Sequence, residues 1–423
     1  MDTDKDVQRH DRHMNDYLSF LRLRPAYRSL WLAQVISLTG DWFNTIASVI
    51  LVNRYAASGL AVGGLFIARA LPPFLLGPVA GVIADRFDRR KVMILSDVLR
   101  AGIVLCFLLI DRPERLWLLY VLTVLQFSVS SFFEPSRAAL VPSLVKSDEL
   151  LTANTLASIT WSAMLTLGGA IGGLTASLFG VNVSLVVDSL TFLASAALLL
   201  TIQRPFQGTA AHSLDSGWQN FVDGMNYVRK DLNVGLVTLV KALGQVGSFD
   251  IIAALYASHV FRQGQEGATT LGLMFTAFGV GAVIGPLVSN RFGESHALWL
   301  RRAILAGFVC MPLAWLIVGT APTLPVALVG CVLRGVGGSI NWTYSDVLLQ
   351  MTVPNHLLGR VFAFDIALFT LAVSISLWLT GYVTDTFHLE PRTIVLLLAG
   401  GSLLPLVVWG AALRWQMRKQ APA

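Results

Sequence analysis

Charged side chains are scarce in this sequence. Asp, Glu, Lys and Arg make up 13% of its 423 residues, where a soluble domain carries about 25%. Because a soluble protein needs charge to cover its surface, this shortage argues against a soluble enzyme. The three cysteines lie in apolar runs without pairing or metal-ligand spacing, which argues against a disulfide scaffold. HExxH, GxSxG and phosphate-loop signatures are missing, so we expect no enzyme activity, metal or cofactor.

Long apolar runs fill the chain instead. Hydrophobic residues make up 55% of it, and the mean hydropathy is +0.66. A membrane-crossing helix needs about 20 apolar residues. Twelve runs meet this need, which predicts an all-α membrane protein with twelve transmembrane helices. We number them span 1 to span 12: 28–52, 60–84, 92–110, 116–136, 153–180, 183–202, 233–260, 270–290, 302–320, 324–349, 358–382 and 392–413.

The positions of the basic residues predict the orientation of the chain. With both termini in the cytoplasm, most of the 31 Lys and Arg residues face the cytoplasm, as the positive-inside rule requires. The five in the outer loops are Arg54, Arg112, Arg115, Arg262 and Arg392. The net charge of +6 therefore reflects membrane topology, and no nucleic-acid partner is expected. The polar N-terminal tail has no apolar core typical of a cleavable signal peptide.

The chain divides into two similar halves. Its longest internal loop, 203–232, carries Trp218, Phe221 and Val228 at helical spacing among charged residues, which predicts an amphipathic helix on the cytoplasmic membrane face. Residues 79–87 (VAGVIADRF) and 284–292 (IGPLVSNRF) match across that loop. We therefore predict two pseudo-symmetric six-helix bundles, 28–202 and 233–413, between cytoplasmic tails 1–27 and 414–423.

Residues 81–91 (GVIADRFDRRK) resemble the G-x-x-x-D-R-x-G-R-R/K loop of the major facilitator superfamily. The matching residues are Gly81, Asp85, Arg86, Arg89 and Arg90. Asp88 stands where the signature has glycine, a departure associated with siderophore and macrolide exporters. The segments 40–42 (GDW), 133–142 (FEPSRAALVP) and 359–361 (GRV) resemble the same branch. The resemblance covers about residues 25–415 and implies proton-coupled export of a small amphipathic molecule, such as a drug, macrolide or siderophore.

The same resemblance implies a cytoplasmic gate. In the superfamily, the carboxylate at the position of Asp85 contacts the start of span 11 and an arginine of its own loop. Here the partners would be the turn at Gly359 and Arg360, together with Arg89 or Arg90. The contact would bridge the halves only while the cytoplasmic side is closed. The full predicted gate is Gly81, Asp85, Arg86, Arg89, Arg90, Gly359 and Arg360; a plain positive-inside anchor is the alternative.

Four ionisable residues lie near the membrane midplane, where charge is costly and usually functional. Counted at about 1.5 Å per residue, Asp41, Arg69, Asp250 and Arg334 all fall near one layer. We predict Asp41 and Asp250 as proton-coupling carboxylates, and Arg69 and Arg334 as charge partners or substrate-binding residues. A purely structural Asp41–Arg69 pair is the alternative.

Other buried charges receive structural predictions. Lys241 and Asp365 fall at similar depths nearer the cytoplasm and predict an ion pair, with a structural or gating role. Asp97 and Arg100 are spaced as a helical pair. Asp188 lies near the outer end of span 6, where it could reach water. Glu134 and Asp346 are assigned to the loop network at the inner helix ends.

These predictions describe a monomeric transporter in the plasma membrane, the inner membrane of a bacterium, in contact with lipids, protons and a small-molecule substrate. Two alternatives stay open: an uncoupled lipid or lysolipid flippase or facilitator of the same fold, and a membrane receptor that transports nothing. Five aromatic residues could line an apolar cavity: Trp42, Phe43, Phe249, Trp342 and Tyr344.

Overall fold

The computed structural model describes residues 17, 19–56, 58–146, 149–203, 214–291 and 297–420; the predicted tails and linker lie partly outside these ranges. The described chain is helical and contains no β-strand. Its α-helices are α1 (Pro25–Tyr55), α2 (Gly59–Arg86), α3 (Arg89–Cys106), α4 (Leu116–Ser130), α5 (Phe133–Leu144), α6 (Leu150–Phe179), α7 (Val181–Leu200), α8 (Leu214–Lys230), α9 (Leu232–Leu243), α10 (Phe249–Leu255), α11 (Ala268–Arg291), α12 (Ala297–Thr320), α13 (Leu324–Thr352), α14 (Asn355–Phe387), α15 (Pro391–Gly401) and α16 (Leu403–Gln420).

Among the described residues, 11 helical segments are long and apolar enough to cross a membrane. They provide spans 1–6 and 8–12, and the shorter apolar helices α9 and α10 together provide span 7. Six crossings precede α8 and six follow it, so the predicted 6+6 all-α fold is confirmed. Because twelve crossings return the chain to its starting side, the described ends of the bundle, Tyr17 and Gln420, lie on one side. We call this side the terminal face and the other the opposite face.

Three spans are less regular than their hydropathy predicts. Span 4 bends between α4 and α5, and span 12 turns at Ser402 between α15 and α16. The prediction of one continuous helix over 233–260 is wrong, because residues 244–248 interrupt span 7. Gly247 has a φ of +81°, a conformation that glycine adopts without strain. Ser248 then caps α10 by accepting a hydrogen bond from the Ile251 N–H.

The two halves meet along two helix pairs, span 5 with span 8 and span 2 with span 11. At the first pair, a Cβ added to Gly173 would lie 2.8 Å from the Cα of Gly272. Only glycine allows the backbones of the two helices to approach so closely. The contact lies near the opposite face, where span 5 ends and span 8 begins.

The linker helix α8 is docked on the second half. Asp223 accepts a hydrogen bond from the Arg360 Nη1 of span 11 at 2.7 Å. One residue on, Gly224 packs so closely that a Cβ there would lie 2.2 Å from the Arg360 carbonyl oxygen. Helix α8 therefore packs against the end of span 11 at the terminal face.

Candidate functional site

A cavity of about 770 Å³ lies between the halves, and its lining extends from the break in span 7 to Trp161 and Pro286, nearer the terminal face. Its wall is mostly aromatic and aliphatic, with Asp250, Arg334 and Gln245 as its main polar groups. The aromatic side chains are Trp42, Trp161, Phe249, Phe275, Phe278, Trp342 and Phe369. Such a wall suits a bulky, largely apolar molecule that carries a few polar groups. Of the aromatics predicted from sequence, Phe43 and Tyr344 are instead buried in helix packing.

The break in span 7 places two of the predicted midplane residues at this cavity. Asp250 stands in the first turn of α10, directly after the break. Arg334 of span 10 donates from its Nη2 to the Gly244 carbonyl oxygen at 2.9 Å, at the end of α9. A carbonyl freed at membrane depth needs such a donor, since no water replaces the lost helix bond. Arg334 thus holds the broken helix and faces the cavity at the same time.

A buried ion cluster lies beside the cavity, nearer the terminal face. The Lys241 Nζ lies 2.5 Å from an Asp365 oxygen and 2.6 Å from an Asp346 oxygen. It also lies 4.4 Å from the ring centre of Trp342, which lines the cavity. The depths of Lys241 and Asp365 predicted their contact, whereas Asp346 had been assigned to the loop network. Both carboxylates and the ammonium are thereby paired.

The first half holds Asp41 in a different setting. Its nearest cation is Arg100 of span 3, with 4.0 Å between the charged groups, and its side chain is 29% exposed. Arg69, the partner predicted from depth, instead donates to the Thr45 Oγ1 at 2.6 Å and lies over the Phe127 ring. Asp41 and Arg69 share a neighbourhood but form no ion pair within 4.0 Å in the described chain.

Asp41 and Arg100 line a second, more polar cavity of about 490 Å³ within the first half. We call it the vestibule. It extends to Glu134 and Arg137 at the terminal face, where the Glu134 side chain is 63% exposed and pairs with Arg137. Water and ions can therefore approach Asp41 from this side.

Two further sequence predictions meet different outcomes. Asp97 and Arg100 are in contact as the helical spacing predicts, and both are buried. Asp188, predicted to reach water, has no exposed surface. That prediction is wrong because depth along a helix does not show which side of it faces protein, and span 6 packs Asp188 against span 1.

The opposite face is closed by an anionic clasp between the halves. Asp385, at the end of span 11, accepts hydrogen bonds from the Ser58 hydroxyl at 2.5 Å and from the N–H groups of Gly59 and Leu60 at 2.7 and 3.1 Å. These groups begin span 2, so Asp385 caps a helix of the other half. The sequence analysis did not predict this contact. The signal for it was an acidic residue near the outer end of one span and a Ser-Gly helix start at the outer end of another.

The residues of the predicted gate at the terminal face are described in part. Arg89 donates to the carbonyls of Ala84 at 3.0 Å and Ala139 at 2.8 Å, which ties span 2 to span 4. Arg90 donates to the last carbonyls of span 6. Arg86 and Gly359 are exposed, and Arg360 pairs with Asp223 of α8. The side-chain surroundings of Gly81 and Asp85 lie outside the described part, so their gate role stays a prediction.

The twelve-span bundle, closed at the opposite face by Asp385, resembles known proteins in sequence and in fold. The model of the transmembrane secretion effector family matches residues 18–421. The chain belongs to this family of the major facilitator superfamily. Macrolide efflux protein A of Streptococcus pyogenes is 23% identical over 364 residues, which cover 85% of this chain and 89% of that protein. YfiS of Bacillus subtilis (strain 168), an uncharacterized MFS-type transporter, is 28% identical over 359 residues, which cover 79% and 81%.

Solved structures of major facilitator transporters share the fold. A bacterial homologue of the iron transporter ferroportin, in an inward-facing state, aligns with a TM-score of 0.71 at 17% identity and covers 91% of this chain and 98% of its own. An inward-facing, unoccupied bacterial homologue of the human lysosomal transporter Spinster aligns with a TM-score of 0.72 at 14% identity, covering 96% and 99%. This secretion effector family member is thus a multi-pass membrane transporter by family and by fold.

Proposed function

We propose that this protein exports a small amphipathic molecule, a drug, macrolide or similar compound, across the plasma membrane by proton-coupled alternating access. The observation that carries the proposal is the largely aromatic cavity of about 770 Å³ between two clasped halves, with an ionisable group, Asp250, in its wall. Rocking the halves about this cavity would expose it to each face in turn. Macrolide efflux by the relative from Streptococcus pyogenes supports the substrate class.

In this mechanism the terminal face is cytoplasmic, and the structure corresponds to the state that loads substrate. Both termini and α8 lie in the cytoplasm of a bacterial cell, and the protein acts as a monomer without a cofactor or catalytic residue. Residues 28–202 and 233–413 rock as the two bundles, joined by 203–232 and flanked by tails 1–27 and 414–423. A return through the outward-facing state requires the Asp385 clasp to open and the predicted Asp85 gate to close.

Protons drive the cycle through Asp41 and Asp250. Each carboxylate lies at membrane depth beside a cavity and near arginine, so its protonation depends on which groups the halves bring close. Arg69 and Arg334 provide the positive charge that changes partner as the halves rock. The Lys241–Asp365 pair keeps spans 7 and 11 together beside the cavity.

The coupling is tested with purified protein in liposomes, with radiolabelled erythromycin as the macrolide. We expect erythromycin to accumulate against its gradient when a pH gradient is imposed, and to leak back when a protonophore is added. Asp41→Asn should abolish this accumulation while erythromycin still binds, because the cavity wall is intact. The matched control is Asp111→Asn, an exposed loop carboxylate. Accumulation that survives the protonophore would indicate an uncoupled flippase or facilitator, and accumulation by Asp41→Asn would exclude Asp41 as a proton carrier.

A further inference from the structure

Asp188 of span 6 is a buried carboxyl group for which the mechanism above has no use. Its side chain has no exposed surface, and within the described part of the chain neither of its oxygens accepts a hydrogen bond of normal geometry, although the Asn44 amide lies nearby. An isolated ionised carboxylate is strongly disfavoured in such a place, whereas a neutral carboxylic acid is tolerated far better. Its environment therefore favours a carboxyl group that holds a proton.

The sequence of span 1 creates this environment. A Cβ added to Gly40 would lie 2.5 Å from the Asp188 Oδ1, so only glycine lets the carboxyl group lie against the span 1 backbone. The next residue is Asp41. The two carboxyl groups are thus neighbours, one facing the vestibule and one behind it.

The charges around Asp188 balance when one carboxyl group among them is protonated. The charged groups that act on it are Asp41 of span 1, Arg69 of span 2 and Arg100 of span 3. Arg100 is already engaged by Asp97, which also accepts a 2.6 Å hydrogen bond from the Ser195 hydroxyl. Span 5, the remaining helix that packs on span 6, carries no ionisable residue.

Two arginines therefore face three carboxyl groups of the first half, Asp41, Asp97 and Asp188, while Asp250, on which Arg69 also acts, has Arg334 as its second cation. The group is neutral when one of the three is protonated, and Asp188 is the one that is fully buried and accepts no hydrogen bond of normal geometry among the described residues. Loss of that proton would leave an unpaired buried charge. Arg69, whose Nη1 has no hydrogen-bond partner among the described residues, is the cation free to compensate it.

Among the described residues, the vestibule leads toward this group from one side of span 1. The vestibule connects the exposed Glu134 to Asp41, and Asp188 packs against span 1 at Gly40, one residue before Asp41. The substrate cavity lies toward the second half and contains Asp250 and Arg334. Trp161 is the only residue that lines both cavities in the described part of the chain.

We propose that Asp188 is the residue that holds the transported proton, and that the proton reaches it from the terminal face through the vestibule and Asp41, apart from the substrate cavity. This inference rests on the proton-coupled export proposed above. It keeps Asp41 as the relay but places the held proton on Asp188 of the first half instead of on Asp250, which stays with most of the substrate contacts in the second half. Coupling then acts through the motion of the halves rather than through competition for one site.

The first test needs no substrate. Infrared difference spectra of the purified protein, recorded as pH is raised, should show a carboxylic-acid C=O band that disappears. In folded Asp188→Asn this band should be absent. Asp385→Asn serves as the matched control and should retain it, because the Asp385 carboxylate is held by three donors. An unchanged band in folded Asp188→Asn would overturn the proposal.

The route is tested without changing Asp188 at all. Ala157→Cys places a thiol in the vestibule, and Ala282→Cys places one in the substrate cavity. Both are made with Cys106→Ser and Cys310→Ala, which leave only the buried Cys331. After reaction with a bulky methanethiosulfonate, the Ala157→Cys protein should exchange the carboxyl proton for deuterium several-fold more slowly, and the Ala282→Cys protein at the original rate. Equal rates before and after labelling at position 157 would exclude the vestibule as the route.

The third test separates this inference from the proposed function. In liposomes, Asp188→Asn should lose erythromycin accumulation driven by a pH gradient and should bind erythromycin as the unmodified protein does. Full accumulation by Asp188→Asn would overturn the inference. If the unmodified protein itself fails to accumulate erythromycin, the proposed function is wrong, while the infrared band still decides whether Asp188 holds the proton.

Discussion

The two halves of the molecule hold their buried charges in different ways. In the second half, Lys241 contacts two carboxylates at 2.5 and 2.6 Å, so each charge in the cluster has an opposite charge in contact. In the first half, Asp41 is 4.0 Å from its nearest cation and partly exposed, and Arg69 bonds to a hydroxyl. A fully paired cluster resists change, whereas a partly paired one can gain or lose a proton with little rearrangement. The comparison predicts rigidity at the Lys241 cluster and chemical change around Asp41.

Asp41 and Asp250 also differ in their surroundings, although both lie near one layer of the membrane, in spans 1 and 7. Span 1 is an unbroken helix, so Asp41 projects from its side toward the vestibule. Span 7 is broken by residues 244–248, so Asp250 stands at a helix start, and Arg334 is occupied with the freed Gly244 carbonyl. One local change in backbone therefore gives the same residue type two different surroundings.

The largest effect is expected from breaking the paired cluster. Lys241→Met would leave Asp365, which has no exposed surface, as an unpaired buried charge. Removing one partner of a buried ion pair costs about 3–5 kcal/mol. We expect a strongly lowered thermal unfolding temperature in detergent. Tryptophan fluorescence measures the unfolding. The exposed Lys91 supplies the control, Lys91→Met, which should unfold as the unmodified protein does.

A second substitution distinguishes lost pairing from lost packing. Lys241→Met combined with Asp365→Leu removes both charges and should recover most of the unfolding temperature. No recovery would mean that the Lys241 side chain acts through its packing against Trp342 rather than through charge. The second half would then not be the ion-locked half that the comparison describes.

An intermediate effect is expected at the opposite face. Asp385→Asn weakens the hydrogen bonds to Ser58, Gly59 and Leu60, which exist only while that face is closed. Loss of a helix cap costs about 1 kcal/mol, and charged hydrogen bonds contribute about 1.5–3 kcal/mol. The population should therefore shift toward the outward-open state by about tenfold, which corresponds to about 1.4 kcal/mol.

Cysteine labelling measures this shift. In a chain without Cys106 and Cys310, Ala157→Cys should react more slowly from the terminal face when Asp385→Asn is added, because the vestibule closes with that face. Asp111→Asn, on the same face as Asp385, provides the control. An unaltered labelling rate would show that Asp385 does not hold the opposite face closed, and that the vestibule does not follow the motion of the halves.

Much of the fold follows from hydropathy alone, because a bilayer fixes the length and composition of each crossing. The contact of Lys241 with Asp365 also follows from depth, since opposite charges at one level on neighbouring helices attract. Depth does not fix the rotation of a helix about its axis. For that reason the sequence predicted an Asp41–Arg69 pair, whereas the cation nearest to Asp41 is Arg100. It also predicted that Asp188 reaches water, although this residue is buried.

The break in span 7 could have been recognised from its residues. Gly244, Gly247 and Ser248 combine two glycines with a good helix cap, which together favour an interruption. Continuous hydropathy concealed this local signal. The Asp385 clasp needed more, because its carboxylate and the Ser58 helix start are separated by more than 300 residues and meet only in the folded bundle. The contacts at both places therefore depend on tertiary packing, which a count of spans does not contain.

The smallest effect concerns a surface pair of the first half. Glu149 accepts hydrogen bonds from the Arg24 Nε and Nη2 at 3.1 and 2.9 Å, and joins the start of span 5 to the start of span 1. These bonds, followed by one from the Lys146 N–H, hold the pKa of Glu149 below its ordinary value of 4.5. The stabilisation is therefore present above pH 4.5 and is lost as the pH falls through the lowered pKa.

Glu149→Gln should increase amide deuterium exchange in the first turns of span 1 slightly at neutral pH. It should have no effect in acid, where Glu149 of the unmodified protein is itself protonated. Glu114→Gln, in an exposed loop, is the control. An increase of equal size at both pH values would show that Glu149 acts through its shape, and that even the exposed charges of the first half do not respond to protons.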